Sequence, residues 1–126
     1  MVAQRLADYD YLLMGLVAEG YQFGAALDGG RDYAGVEDLD GYHAYDSRNE
    51  TRRRGRLVST ERPVTIKYTV RRSKLTVTCD GVTVIDWDAD YRRCSMRGLW
   101  VVPEKRQLFL GAWGTLLRIS KLELTP

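Results

Sequence analysis

Leu75-Thr76-Val77-Thr78-Cys79-Asp80-Gly81-Val82-Thr83-Val84-Ile85-Asp86-Trp87, residues 75–87, is the stretch that decides the fold. Leu75, Val77 and Cys79 alternate with Thr76 and Thr78, the period of a strand with one buried face. Asp80-Gly81 then supplies a two-residue turn. A type I′ turn needs positive φ at both central positions, and Asp and Gly tolerate it. Val82 to Trp87 returns as the second strand of a hairpin. Upstream, after Pro63, Val64, Ile66, Tyr68 and Val70 face one way while Thr65, Lys67, Thr69 and Arg71 face the other. Arg72-Ser73 joins that strand to the hairpin.

Further out the same grammar repeats, punctuated by 12 glycines. Tyr11 to Glu19 reads as a strand, Gly20 as a turn, and Tyr21 to Asp28 as a strand closed by Asp28-Gly29-Gly30. Tyr33 to Leu39 is a third, ended by Asp40-Gly41. Tyr42 to Arg56 is polar and reads as a long loop, and Leu57-Val58 as a brief strand. Asp88 to Gly98 is a loop. Leu99 to Val102, Gln107 to Ala112 and Leu116 to Leu124 complete the strands, with Pro103 at a strand end. Val2 to Asp10 fits neither period and stays unassigned. Short strands at such spacing predict an all-β, antiparallel sandwich. The 126 residues suit one domain, 1–126, with a poorly defined segment over 1–10, and 44% apolar residues can supply its core.

The balance of 19 basic against 17 acidic residues, net +2, gives no general attraction for nucleic acid or an anionic membrane. No apolar run is long enough for a transmembrane helix. The first residues lack the layout of a signal peptide, and the compartment is left open. Cys79 alternates with apolar neighbours and reads as a small buried hydrophobe, while Cys94 falls in a polar loop. A disulfide between them stays open, since two cysteines make no framework. No CxxC or Cys/His cluster indicates a metal, and no cofactor is expected.

"VTCDGVTVIDW", then "DADYRRCS", then "LWVVPEKRQLFLGAWGTLLRISKLEL" resembles the C-terminal half of concanavalin A-like lectin/glucanase sandwich domains. The likeness is nearest to uncharacterised modules common in planctomycete bacterial proteins. Those carry a "DG-x-x-V-I-D-W" hairpin, a "P-x-x-x-x-L-x-L-G" strand and a final "R-I-S-x-L-x-L" strand. "ALDGGRDYAGVEDLDG" resembles their "L-D-G-x-x-x-x-x-G-L-E-x-x-D-G" segment, and coverage runs from about Leu13 to Pro126. "AGVEDLDG" and "RISKLEL" are also similar to strands of keto-disaccharide hydrolases, over less of the chain. The resemblance implies a jelly-roll sandwich. It also implies further strands before Tyr11, so the N-terminus is expected to be a truncation point, or the open edge to be covered. An uncovered edge is a pairing template, which predicts oligomerisation or edge-strand pairing.

For chemistry, two-carboxylate glycoside hydrolysis needs carboxyl groups about 5 to 10 Å apart. The laminarinase-like branch places them at alternate positions of one strand, which share a face. Here Glu37 and Asp38 are adjacent and would point to opposite faces of a regular strand, and Asp40 reads as a turn residue. No catalytic dyad is recognised, and no triad forms around His43, the single histidine. The basic run Arg48, Arg52, Arg53, Arg54 and Arg56 contains no aromatic residue and reads as a solvated loop. The acidic residues Asp28, Asp32, Asp38, Asp40 and Asp46 lack calcium-loop spacing. Trp87 reads as core or rim and Trp100 as core.

Trp113 and Tyr45 are the candidate sugar-stacking platforms, with His43, Glu37 and Asp38 as candidate ligand contacts. The expected role is a non-catalytic accessory module, carbohydrate-binding or interaction-mediating, within or derived from a larger protein. The alternatives are a glycoside-acting hydrolase of the same fold class and a structural domain without a ligand.

Overall fold

The computed structural model describes residues 1–126 and forms two antiparallel five-stranded sheets. In chain order the strands are β1 (Val2–Ala7), β2 (Leu12–Ala18), β3 (Tyr21–Gly29), β4 (Tyr33–Glu37), β5 (Arg53–Arg54), β6 (Val64–Arg71), β7 (Lys74–Cys79), β8 (Val82–Asp88), β9 (Phe109–Ala112) and β10 (Leu116–Lys121). One sheet runs β10-β1-β6-β7-β8 and the other β5-β4-β3-β2-β9. Their inner faces share one core. Leu12, Leu16, Phe23, Leu27, Ala34 and Val36 meet Val64, Ile66, Leu75, Val77, Ile85 and Trp87. The molecule is the all-β sandwich that the alternation predicts.

The Asp80-Gly81 turn has φ of 48° and 80°, as its two-residue geometry requires. The Asp80 carboxylate accepts the Thr65 N–H at 2.9 Å and pairs with Arg62 at 2.6 Å, tying the turn to the start of β6. The hairpin register slips once: Val77 pairs with Ile85 but Thr78 with Thr83. That bulge lets the consecutive residues Val84 and Ile85 both reach the core.

Several sequence expectations need correction. The unassigned segment Val2 to Asp10 contains β1, an interior strand between β10 and β6. Its apolar period is broken by Arg5, which is itself wholly buried. Leu57-Val58 forms no strand; its two N–H groups bind the Asp28 carboxylate at 2.7 and 3.1 Å. Leu99 to Val102 is no strand either. Gly98–Trp100 is a 3-10 turn that drops Trp100 onto the second sheet. The loop Tyr42 to Arg56 contributes the short β5, and β10 stops at Lys121, leaving Leu122 and Leu124 exposed.

The Arg5 and Asp28 side chains are fully buried and meet at 2.5 Å. Arg5 also donates to the carbonyls of Val58, Asp8 and Asp10 and to the Thr115 hydroxyl. Asp28 sits at φ 55°, which turns its carboxylate back under the chain. Two buried charges are tolerated because nearly every donor and acceptor is used.

Cys79 and Cys94 are both free and buried. Burial pushes each thiol up to about 12.

Two measurements follow from these interior groups. Replacing Arg5 with Met should cost about 3–5 kcal/mol, because Asp28 is left charged and unpaired. Pairing that change with Asp28→Asn should recover part of the loss, as read from urea denaturation. Both thiols should resist an aromatic disulfide reagent at pH 8, because the thiolate is the reacting form. They should react promptly once the chain is unfolded.

Candidate functional site

The second sheet is apolar or glycine-rich on its outer face as well. Pairing registers put Phe109, Gly15, Gly24 and Glu37 in one row across the strands, and Gly111, Leu13, Ala26 and Gly35 in the next. A Cβ at Gly15 would lie 2.1 Å from the Phe109 ring, and one at Gly111 would lie 2.6 Å from the Trp100 ring. Missing side chains therefore let aromatic rings lie directly on the sheet. Tyr11, Leu13, Ala26, Ala44 and Trp100 make a second buried cluster there.

Glu37 is the last residue of β4 and belongs to this outer row. The chain then reverses. Asp38 (φ 58°) and the Asp40-Gly41 turn (φ 52° and 81°) send it back across the sheet. Asn49 clamps the returning loop: its amide donates to the carbonyls of Val36, Tyr42 and His43 at 2.7, 3.1 and 3.2 Å. Its own carbonyl accepts from the Thr51 N–H and hydroxyl.

The loop lands His43 on Glu37, with Nδ1 to Oε1 at 2.6 Å. The same nitrogen is 4.0 Å from Asp38 Oδ1. Donor atoms of Glu37, Asp38 and His43 all lie within 4.8 Å of one another. The expectation that the two carboxylates point to opposite faces is thus corrected. Strand alternation ends at Glu37, and the left-handed φ of Asp38 swings its carboxylate to the same side.

Glu37 is wholly buried and Asp38 nearly so, whereas about half of the His43 side chain is open to solvent. Asp38 is held by the Arg97 N–H at 3.2 Å and the Arg97 guanidinium at 3.5 Å. Arg97 also donates to the Gly41 carbonyl. Burial pushes Glu37 above the ordinary carboxylate range, opposed by the His43 hydrogen bond and the neighbouring Tyr11 phenol. Two buried side-chain atoms have no hydrogen-bond partner, and one of them is Glu37 Oε2; the other is the Tyr68 hydroxyl.

His43 stacks on Tyr45 with ring centroids 5.0 Å apart and planes at 16°. Tyr45 meets Tyr11 edge-on at 6.3 Å, and Tyr11 lies 5.5 Å from Trp100. Burial pushes the Tyr45 phenol up, and Glu37, Asp10, Asp46 and Asp38 add to the shift.

Four of the five sequence candidates, Glu37, Asp38, His43 and Tyr45, come together here. Trp113 stands apart. It is 52% exposed and borders a shallow apolar groove shared with Trp100, Phe109, Leu99 and Val102. The aromatic contacts run from Tyr45 through Tyr11 and end at Trp100, which lines the same groove as Trp113. Trp87 is in the core, its indole N–H donating to Glu50 at 3.3 Å. The arginine run is dispersed: Arg48 covers Tyr42, Arg52 covers Tyr33, and Arg56 covers Tyr9 while pairing with Asp32. A surface cavity lined by Glu19, Tyr21, Arg72 and Asp90–Arg92 holds none of the candidates.

Sequence reasoning missed Tyr11, Asn49 and Arg97. One signal did point to Asn49: the Asp38–Gly41 turn cluster implies a chain that returns over its own strand and needs an anchor. No protein-family model, curated protein or solved structure matches this chain.

Asn49→Ala should destabilise the chain by about 1–3 kcal/mol, the cost of stranding buried carbonyls. It should also release the His43 imidazole from Glu37, seen as a shift of its ring nitrogens in NMR spectra.

Proposed function

We propose that this chain is a non-catalytic accessory module of jelly-roll, concanavalin A-like type, binding carbohydrate on the outer face of its second sheet. The single observation behind this reading is the stacked His43–Tyr45 pair. It is half open to solvent and sits directly above two carboxylates. A sugar ring has an apolar face that stacks on an aromatic ring and hydroxyls that hydrogen-bond to exposed polar groups, here the open His43 imidazole and the loop that carries it. Trp113, 52% exposed at a separate apolar groove, offers a second stacking surface.

The hydrolase reading draws support from the closeness of Glu37 and Asp38, near the roughly 5 Å separation of retaining glycosidases. Both carboxylates are buried, however, and His43 covers Glu37, which leaves no room to flank a glycosidic bond. Binding is therefore the better-supported role.

A glycan array followed by calorimetry tests this. Tyr45→Ala should weaken binding of a retained glycan by about fivefold or more, the worth of one stacked ring. Trp113→Ala should weaken only longer ligands. A blank array removes the reading, and release of reducing ends from a bound glycan would establish the hydrolase instead.

A further inference from the structure

Two adjacent carboxylates are hidden from water in this site, and their surroundings supply little positive charge. Of the two carboxylates Arg97 reaches only Asp38, and Glu37 meets the His43 imidazole. Burying carboxylates is costly unless their oxygens are satisfied. Glu37 Oε1 is satisfied by His43, whereas Oε2, equally hidden, is not. That orphaned oxygen belongs to a carboxylate whose neighbours are an imidazole nitrogen, a second carboxylate and the Tyr11 phenol.

We propose that Glu37, Asp38 and His43 form a binding site for a divalent transition-metal ion, Zn²⁺ or Mn²⁺ in class. One imidazole nitrogen with two carboxylates is a donor set that such ions accept. Calcium is the poorer fit, because it seeks about six to eight oxygens and this site leads with a nitrogen. The separations suit a single ion. Ion-to-donor distances of about 2.0–2.2 Å allow donors up to about 4.4 Å apart. The 4.0 Å contact of His43 Nδ1 with Asp38 falls inside that limit, and a bound ion would replace the 2.6 Å His43–Glu37 hydrogen bond by spreading those two donors to about 3 Å.

The supports around the donors suit the same role. Tyr45 stacks on the His43 ring and sets its plane, and Asn49 holds the His43 carbonyl. Arg97 is anchored on the Gly41 carbonyl as well as on Asp38, so it can yield the Asp38 oxygen without losing its place. Supports of this kind orient metal ligands and tune their basicity. With three protein donors and His43 half exposed, the ion would keep a position open to water or to a ligand. The inference shares its residues with the carbohydrate reading but does not depend on it.

The test is a Co²⁺ titration of the chelator-treated full chain, followed by visible absorption, with displacement by Zn²⁺. The expected result is one saturable site whose ligand-field bands vanish on adding Zn²⁺. His43→Gln, Asp38→Asn and Glu37→Gln should each weaken Co²⁺ by about tenfold or more, at least as much as loss of an indirect support. Asn tolerates the left-handed backbone at position 38, and His43 is half exposed, so these two variants serve if Glu37→Gln fails to fold. Absence of saturable binding overturns the proposal. So does binding that all folded variants retain, which would place the ion elsewhere. The titration contains no glycan, and the array is repeated with chelator. Metal binding with a blank array removes only the carbohydrate reading, and glycan binding with no metal removes only this one.

Discussion

The buried Arg5–Asp28 pair is the constraint on which the rest of the architecture hangs. Arg5 comes from an interior strand of one sheet and Asp28 from an interior strand of the other. Between them they satisfy the carbonyls of Asp8, Asp10 and Val58 and the N–H groups of Leu57 and Val58. They therefore tie down three crossings between the sheets, β1 to β2, β5 to β6 and, through the Thr115 hydroxyl, β9 to β10. The Asp10 carbonyl is one residue before Tyr11, whose ring underlies Tyr45. A charge pair deep in the fold thus sets the floor of the candidate site. Buried pairs of this kind add little net stability compared with apolar packing, and their sharper effect is on arrangements that leave one partner alone.

How much of this was readable from the residues depends on whether the governing interaction is local. The Asp80-Gly81 hairpin and the alternation of Val64 to Arg71 are local, and both read directly. β1 was not readable, because Arg5 occupies a core position and its partner lies far along the chain. Leu57-Val58 has strand-forming residues, but its N–H groups are claimed by Asp28 and not by a neighbouring strand. Leu99 to Val102 has a strand's composition, yet Gly98 adopts a left-handed φ and Trp100 finds a bed on Gly111. In the site, the residue types of Glu37, Asp38, His43 and Tyr45 were readable as candidates. Their convergence was not, because it rests on the left-handed φ of Asp38 and on the Asn49 clamp, neither of which periodicity reveals.

The site and the core occupy opposite faces of one strand. Ala34 and Val36 point into the sandwich, while Gly35 and Glu37 lie beneath the loop. The loop is held by side chain to backbone bonds from Asn49 and by rings lying on glycines. Chemistry at the outer face can thus vary through residues 42–51 while the inner packing stays intact, as expected of loops carried on a rigid scaffold.

The pairing of β1 with β10 sets the order of events in folding. Val2 lies beside Lys121 and Ala3 beside Ile119, so β1 meets this neighbour only after every strand from β2 to β10 has been made. Its other neighbour, β6, engages it through just two residue pairs. During synthesis β1 must wait with Arg5 poorly partnered, while the β6-β7-β8 meander can assemble from short-range contacts alone. Closure of the first sheet is a late, long-range step of the kind that slows folding.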